Sequence, residues 1–388
     1  MLAALLLSWI AMSLISTYAT FRYFQLMEQV GTPSRPARAV VIVPIKGKAA
    51  ATEAFLSSLF RQSHGNFRLL FSVETAADPA VPFIRAAAAI SPSVAFEIVD
   101  AGLSVGCGQK VWNQLAALKC IRDSDELVVF ADSDVILPAT WLETLDWAVN
   151  DQAQEIVTGY RLLFPSDRRL SSGFAASMNL SVAICPRVTG LTAAWGGTMA
   201  MTRTTLARLD LPRWWQGALS DDLRLTAAAR AQGILIHTNR ATLLSTPWSG
   251  SFVSFLEFGG RQFRILRLNE ALLFFGMVSA IAIPVAGSLV ALTLAFSGEA
   301  AGWLALAAVL GLGLVRQRYR QKIVARVLPA HELASLGLWR LADGFGRAVW
   351  WPLLLLIGLA GSWGRTVTWA GTTYRCDGPN ATRPLSRS

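Results

Sequence analysis

The chain has 388 residues, of which 53% are hydrophobic and only 15% are charged, and its formal net charge is +10. This composition is too apolar for an ordinary soluble protein, and the length is sufficient for one large domain plus membrane segments. The basic residues form no single patch interleaved with aromatic residues, and no two of the four cysteines have CxxC spacing, which argues against nucleic-acid binding, a zinc site and a redox motif.

The first predicted element is an N-terminal transmembrane anchor over residues 1–20. Residues 2–18 contain no charge and are nearly long enough to span a bilayer. A cleaved signal peptide is the alternative. In signal peptides, basic residues precede the apolar run, whereas in this chain Arg22, Arg35 and Arg38 follow the apolar run. The positive-inside rule therefore predicts an uncleaved anchor whose C-terminal side is cytoplasmic.

Residues 39–270 contain no apolar stretch long enough to span a membrane, and short β-rich runs alternate with helical patterns there. This alternation predicts an α/β domain with a largely parallel sheet and helices on both faces. Predicted strands lie at residues 39–47, 67–75, 96–99, 127–134, 155–164 and 233–244, and predicted helices at 52–62, 111–120 and 138–150.

Polar side chains follow several of these strands. Lys46 follows the first strand, Glu74 and Asp78 follow the second, and Asp132 and Asp134 end the fourth. In open α/β sheets, ligands bind outside the carboxyl ends of the strands, so these residues are candidates for one binding site.

The segment LVVFADSDVIL at residues 127–137 has two interpretations. Asp and Ser are common turn residues, so the segment could simply end a strand. Alternatively, Asp132 and Asp134 are two positions apart and point the same way in an extended chain, so they could bind Mg²⁺ or Mn²⁺. Their place at the strand ends favours the metal site.

Two further segments of the predicted domain have open interpretations. Gly196 and Gly197 either allow a ligand to approach the backbone or form a turn before a helix at 203–209. Asp221 and Asp222 stand at the start of a predicted helix that continues through residue 231. They either cap this helix or supply a catalytic base, and we expect Asp221 to cap and Asp222 to act as the base.

Three arginines precede the second apolar span at three-residue spacing. Arg261, Arg264 and Arg267 would share one broad helix face. They either flank the membrane as snorkelling residues or bind a diphosphate leaving group. We expect diphosphate binding by Arg261 and Arg264, and a flanking role for Arg267.

The C-terminal third is predicted to be mainly membrane-associated. Residues 271–296 and 301–315 form a transmembrane hairpin (271–315), and a basic cytoplasmic or interfacial segment follows at 316–345. Residues 346–363 are a transmembrane or re-entrant helix, because Pro352 interrupts them, and residues 364–388 form a tail. Trp350, Trp351, Trp363 and Trp369 are expected to lie in an interfacial belt.

The order of these motifs resembles a known family. The relevant segments are SVETAADPA (72–80), KVWNQLAAL (110–118), FADSDVILP (130–138), LSDDLRLT (219–226), GRQFR (260–264) and VTWAGTTYR (367–375). Together they look like the inverting, family 2-like glycosyltransferases with a GT-A fold, and most like the ceramide glucosyltransferase-like branch. The resemblance implies a Rossmann-like GT-A domain at 39–270, on the cytoplasmic side of a multi-pass membrane protein.

The resemblance also implies residue roles. Asp222 resembles the general base, and Asp132 and Asp134 resemble the metal-binding DxD acids. Arg261 and Arg264 resemble the (Q/R)xxRW motif, but Ile265 stands where the family has Trp, which leaves the type of acceptor open. Nucleotide-sugar-binding residues are expected at Lys46, Glu74, Asp78, Lys110, Asp132, Gly196, Gly197, Asp221, Arg261 and Arg264.

The expected function is the transfer of a hexose from a nucleotide sugar, UDP-glucose or similar, to a lipid hydroxyl such as that of ceramide. Mg²⁺ or Mn²⁺ is the expected cofactor, and the expected partners are the donor, a lipid acceptor and the bilayer, but no nucleic acid. Two alternatives stay open: a polysaccharide synthase, and a non-catalytic membrane scaffold with a degenerate transferase domain.

Overall fold

A computed structural model describes residues 2–49, 51–185, 192–344 and 347–387 of the chain. Contacts between Cα atoms divide the chain into two units, called here the helical unit and the sheet unit. The helical unit contains Met1–Glu28, Leu162–Pro186 and Pro247–Gly364. The sheet unit contains Gln29–Arg161, Arg187–Thr246 and Arg365–Ser388.

Seven strands form the main sheet: β1 Ala39–Pro44, β2 Phe67–Val73, β3 Ala95–Asp100, β4 Leu127–Ala131, β5 Ile156–Pro165, β6 Thr198–Thr202 and β7 Ile236–Trp248. Their order across the sheet is β3-β2-β1-β4-β6-β5-β7. Strand β1 pairs in parallel with both β2 and β4, and β2 pairs in parallel with β3. The predicted α/β class with a mostly parallel sheet is confirmed.

The apolar run of β1 explains its central position. Val41 and Val43 belong to one hydrophobic cluster, whereas Val40 and Ile42 belong to another. Successive side chains of a strand point to opposite faces, so both faces of β1 are covered by apolar groups. Such two-sided burial is typical of parallel strands flanked by helices.

Strand β6 is an element that the sequence did not predict. For residues 195–203 the sequence left open a turn before a helix or a backbone that a ligand approaches, and neither interpretation includes the strand Thr198–Thr202, which lies between β4 and β5 and is antiparallel to both. The TMAMT run is short and contains few strong strand formers, so its position comes from its neighbours in the sheet. The predicted helix does form, at Arg203–Leu209.

The described helices are, in chain order, α1 Leu2–Leu26, α2 Thr52–Phe60, α3 Val81–Ile90, α4 Gln109–Leu118, α5 Trp141–Asp146, α6 Leu170–Ala183, α7 Arg203–Leu209, α8 Leu211–Trp215, α9 Asp221–Ala231, α10 Phe252–Asn269, α11 Ala271–Phe296, α12 Ala300–Val327, α13 Ala330–Ser335, α14 Gly337–Gly344 and α15 Arg347–Ala360. A π-helical turn at Trp147–Asp151 continues α5. Helix α6, within the segment predicted as part of the α/β domain, was not anticipated.

A second, three-stranded sheet lies near the C-terminus and belongs to the sheet unit. It consists of β8 Thr366–Trp369, β9 Thr372–Cys376 and β10 Thr382–Arg387, in the antiparallel order β10-β9-β8. The segment was expected only to be a tail.

In the helical unit, α1, α11 and α12 are each long and apolar enough to span a membrane, and they are the only such helices among the described residues. The sequence predicts that the basic residues from Arg316 to Lys322 follow the apolar helix. In the structure they are part of it, because α12 ends only at Val327. Helix α15 has 14 residues and contains Pro352.

Two of these basic residues, Arg316 and Arg320, are buried. Arg320 Nε lies 2.9 Å from both carboxylate oxygens of Asp343, and its Nη2 donates to the Ser177 carbonyl at 2.8 Å. The guanidinium thus links α12, α14 and α6 within the helical unit. A buried charge is tolerated only when it is paired and hydrogen-bonded in this way.

Candidate active site

Polar groups at the ends of β1 and β2 hold each other in place. Lys46 Nζ lies 2.9 Å from Glu74 Oε2. Asp78, which is buried, accepts hydrogen bonds from the amides of Gly47 and Ala80, both at 2.8 Å. The structure therefore brings Lys46 and Glu74 together, and it makes Asp78 the residue that fixes the loop after β1, where Gly47 has a φ of 63°.

Lys110, in the first turn of α4, contacts two of the predicted acids. Its Nζ lies 2.6 Å from Asp132 Oδ1 and 3.0 Å from Asp221 Oδ2. Burial alone would lower the pKa of Lys110, but the charges of Asp132, Asp221 and Asp222 outweigh it and raise the pKa. The ammonium is therefore charged at neutral pH and joins the end of β4 to the start of α9.

The DSD segment contacts a second cation, which no sequence motif indicated. Arg161, on β5, lies 3.2 Å from Asp134 Oδ2 through Nη1 and 3.9 Å from Asp132 Oδ2 through Nη2. Burial acts to raise the pKa of Asp132, yet Lys110 and Arg161 hold it below its ordinary value. Asp132 is consequently an anion between two cations.

The same segment retains the properties of a divalent-metal ligand set. Asp134 Oδ1 is buried and has no hydrogen-bond partner. Because the side chain of Asp134 is 48% exposed, water or a cation can reach this oxygen and complete its coordination. Among the described residues, however, no three His, Cys, Asp or Glu side chains converge. Two carboxylates suit Mg²⁺ or Mn²⁺ that also bind phosphate oxygens.

The start of α9 differs in detail from the prediction. The N-cap is Ser220, whose side chain accepts from the Leu223 amide. Asp221 does not cap this helix; it is buried and accepts from Lys110 and from Gln114 Nε2, the latter at 2.9 Å. The charged start of the helix thus faces the sheet unit's interior.

Asp222 has a different set of partners. Its Oδ1 accepts from the Leu223 amide at 2.7 Å, and its Oδ2 accepts from the Gly196 amide at 3.1 Å. Burial and the neighbouring charge of Asp221 raise the pKa of Asp222, although Lys110, Ser220 and Gly196 oppose the shift. A carboxylate with a raised pKa in a partly enclosed site has the properties of a general base.

The glycine pair is required by close contacts. A Cβ atom on Gly196 would lie 2.7 Å from Lys110 Nζ and 3.0 Å from Asp221 Oδ2. On Gly197, it would lie 2.2 Å from the Trp195 ring. Gly196 therefore leaves the space that the Lys110–Asp221 ion pair occupies, and the Gly196 amide remains available to Asp222.

Arg261 and Arg264 belong to the helical unit, on α10. Arg264 Nε donates to the Trp363 carbonyl at 3.1 Å, and Arg267 Nε donates to the Gly361 carbonyl at 3.1 Å. Ile265 is buried. The predicted role of Arg261 and Arg264 in diphosphate binding stays a prediction from the sequence.

Three residues of the site, Arg161, Gln114 and Trp369, were not predicted from the sequence. Arg161 lies in the middle of an apolar strand and belongs to no motif, and Gln114 is an uncharged residue on a helix. The Trp369 ring centroid lies 5.9 Å from Lys110 Nζ, although the sequence analysis had assigned this residue to a membrane belt. Trp350, assigned to the same belt, is buried. Only the alternation of β5, which turns Arg161 towards the DSD segment, could have indicated the first of these.

The chain matches one family of glycosyltransferases and is similar to solved structures of such enzymes. The family model described as Glycosyl transferase family 21 matches residues 5–381. Among solved structures, the chain is similar to the mannosyltransferase PcManGT from Pyrobaculum calidifontis in complex with GDP-Man and Mn²⁺, with 17% identity, a TM-score of 0.51 and coverage of 93% of this chain and 98% of that chain. It also matches S. aureus TarS 1-349 in complex with UDP-GlcNAc, with 13% identity and a TM-score of 0.40. The match covers 90% of this chain and 100% of that chain. A comparison with curated proteins gives no match.

Proposed function

Since the chain belongs to glycosyl transferase family 21, and is therefore a glycosyltransferase, we propose that it transfers a hexose from a nucleotide sugar to a lipid hydroxyl. UDP-glucose or a similar compound is the proposed donor, and ceramide or another hydroxyl-bearing lipid is the proposed acceptor. The single observation that carries the proposal is the cluster in which Lys110 joins Asp132 to Asp221, beside Asp222.

The proposed donor site is the edge of the sheet where β1, β2 and β4 end. Lys46, Lys110 and Arg161 supply positive charge that suits a diphosphate, and the absence of a side chain at Gly196 lets Lys110 lie against the backbone. The similar mannosyltransferase, whose complex contains GDP-Man, supports a nucleotide sugar as the donor.

Asp132 and Asp134 are proposed to hold Mg²⁺ or Mn²⁺, which when bound neutralises charge on the donor diphosphate. The unpartnered Oδ1 of Asp134 supports this assignment, and so does the Mn²⁺ in the mannosyltransferase complex. Lys110 and Arg161 already neutralise these carboxylates, so donor binding would require both side chains to turn from the acids towards phosphate oxygens.

Asp222 is proposed as the general base of a single displacement. Its carboxylate accepts the proton of the acceptor hydroxyl while the hydroxyl oxygen forms a bond to the anomeric carbon. The bond from that carbon to the phosphate oxygen breaks, and the nucleoside diphosphate leaves with the electron pair, which inverts the anomeric centre. The raised pKa of Asp222 supports this role, because a stronger base accepts the proton more readily.

The lipid acceptor is supported by the helical unit. Helices α1, α11 and α12 are apolar enough to span a membrane, and a lipid hydroxyl would remain at the membrane surface while its chains stay in the bilayer. The basic residues after α1, including Arg35 and Arg38, support a cytoplasmic position of the catalytic residues.

The test uses the purified protein in detergent with Mn²⁺, a panel of radiolabelled nucleotide sugars and a total lipid extract. We expect label to enter the organic phase, and Asp222→Asn to lower the transfer rate by about 10²–10⁴-fold. The matched control is Asp123→Asn, since the Asp123 side chain is fully exposed. Label in a water-soluble polymer would instead support a polysaccharide synthase, and nucleotide binding without transfer would support a scaffold.

A further inference from the structure

The hairpin formed by β8 and β9 holds one aromatic side chain in a fixed position. Trp369 pairs with Thr372 at its closed end. The two residues between them, Ala370 and Gly371, have φ values of 47° and 77°, as in the tight turns that suit the twist of paired strands. Tyr374 on β9 is buried, so the hairpin also has an apolar anchor.

Tyr374 connects this hairpin to the helix that carries Lys110. The Gln109 amide donates a hydrogen bond to Tyr374 Oη at 3.1 Å. Gln109 is the first residue of α4 and the immediate neighbour of Lys110. Because the first amides of a helix have no partner within it, this phenol satisfies a group that would otherwise be unpaired.

Two further contacts attach the segment after the hairpin to the sheet unit. Asn380 Nδ2 donates to the carbonyls of Trp214 and Gln216 at 2.7 and 2.6 Å, and the Thr382 amide donates to the Gly217 carbonyl at 2.9 Å. A Cβ on Gly217 would lie 2.1 Å from the Asn380 carbonyl oxygen. The two backbones therefore approach so closely that only glycine fits.

Strand β10 contacts residues that follow β2 and β3. Arg387 Nη2 donates to the Ser104 carbonyl at 2.5 Å, and Arg387 Nη1 lies 3.7 Å from Glu74 Oε1. Glu74 is the same residue that pairs with Lys46. The three C-terminal strands are thus attached to the start of α4, to the residues at the end of α8 and to the residues that follow β2 and β3.

These attachments place the Trp369 ring beside the charged cluster. Lys110 Nζ lies over the ring, 5.9 Å from its centroid, while it contacts Asp132 and Asp221. Trp369 is only partly buried. A partly exposed indole next to an ion pair therefore offers an apolar surface to whatever binds there.

We propose that Trp369 contacts the transferred sugar of the donor. A hexose has an apolar C–H face and a rim of hydroxyls, so its face would pack on the indole while its hydroxyls reach the polar groups around Lys110. A rigid aromatic ring provides a large contact area at low cost in conformational entropy. The inference rests on the proposed function, since it assumes that the cluster binds a nucleotide sugar.

The test compares binding of a nucleotide sugar with binding of the matching free nucleoside diphosphate, measured by calorimetry on the detergent-solubilised full chain with Mn²⁺. The first pair of ligands is UDP-glucose and UDP. The second pair is UDP-GlcNAc and UDP, and the third pair is GDP-mannose and GDP. In Trp369→Ala, we expect the Kd of the nucleotide sugar to rise about tenfold and the Kd of the diphosphate to change less than about twofold. Trp369→Phe should recover most of the affinity.

The matched control is Thr368→Ala, because Thr368 is the exposed neighbour on the same strand and points to the other face. If Trp369→Ala does not fold, as judged by its thermal midpoint, the comparison of Trp369→Phe with Trp369→Leu decides, since both retain apolar bulk and only one retains the ring.

Equal weakening of nucleotide sugar and diphosphate would overturn the sugar contact and leave Trp369 as a positioning residue for Lys110. Unchanged binding of both ligands would overturn it as well. If the natural protein binds no nucleotide sugar, the proposed function itself fails, and this outcome is distinct because it does not depend on Trp369.

Discussion

Lys110 reaches from α4 to Asp221 at the start of α9, with 3.0 Å between Nζ and Oδ2. Asp221 is almost entirely buried, with 1% of its surface exposed. Since Lys110 also contacts Asp132, one ammonium joins two carboxylates that come from distant parts of the chain. The candidate site is therefore held together by charge as well as by apolar packing.

Lys110→Met should destabilise the sheet unit. It leaves Asp221 without its cation and Asp132 with Arg161 alone, and removal of one partner from a largely buried ion pair costs about 3–5 kcal/mol of unfolding free energy. Thermal unfolding in detergent measures the effect. The control is Lys119→Met, because Lys119 is exposed at the end of the same helix. Adding Asp221→Asn to Lys110→Met should recover part of the lost unfolding free energy. A Lys110→Met protein as stable as the natural one would contradict the assignment.

The pH dependence of transfer should reflect Asp222. A general base acts only when deprotonated, so the rate should rise with pH through a pKa that lies above the usual range of an Asp carboxyl. Asp221→Asn removes the neighbouring negative charge that helps to raise this pKa, so the acid limb of the kcat profile should move to lower pH. Asp123→Asn should leave it in place. An acid limb at the ordinary pKa of Asp, unmoved in Asp221→Asn, would argue against Asp222.

Gly196→Ala should disrupt the cluster without altering any charge. The added methyl group would lie 2.7 Å from Lys110 Nζ, so the end of this flexible side chain must shift away from Asp221, at a cost of about 1 kcal/mol. We expect a lower thermal midpoint and weaker nucleotide-sugar binding. Gly276→Ala in α11 is the control, because a Cβ there has nothing within 4 Å. Full retention of binding in Gly196→Ala would show that the pair has room to shift.

Removal of a metal ligand should separate binding of the metal from binding of the nucleotide. Asp134→Asn should weaken Mn²⁺ binding in the presence of UDP by about tenfold or more, measured by electron paramagnetic resonance of free Mn²⁺. Chelation with EDTA should abolish transfer in the natural protein, and added Mn²⁺ should restore it. The control is again Asp123→Asn. Transfer that persists in EDTA would mean that Lys110 and Arg161 neutralise the diphosphate without a metal.

The sequence predicted most of the main sheet because β1 and β4 are continuous apolar runs, β2 is largely apolar, and polar residues follow all three strands. It also indicated Asp132, Asp134 and the Asp221–Asp222 pair, since carboxylates at strand and helix ends are conspicuous. It did not predict that Lys110 would contact Asp132 and Asp221, because these contacts depend on the packing of α4 and α9 against the sheet. Short-range patterns contain no information about such distances.

The same limit explains β6 and the C-terminal sheet. Strand β6 is a strand because β4 and β5 flank it, as its own residues have little β propensity. The C-terminal sheet is attached mainly through hydrogen bonds to carbonyls, such as those of Trp214 and Gly217, which no side-chain pattern reveals.

The C-terminal sheet has a consequence for biosynthesis. Residues 366–387 are translated after the long apolar helices, yet they belong to the same unit as strands made hundreds of residues earlier. A ribosome-bound chain that has just completed α11 and α12 still lacks Tyr374 and Trp369. The polypeptide therefore completes the sheet unit only after these helices have been synthesised, so that a nascent chain that ends before residue 366 lacks the segment that contacts Gln109 and Lys110.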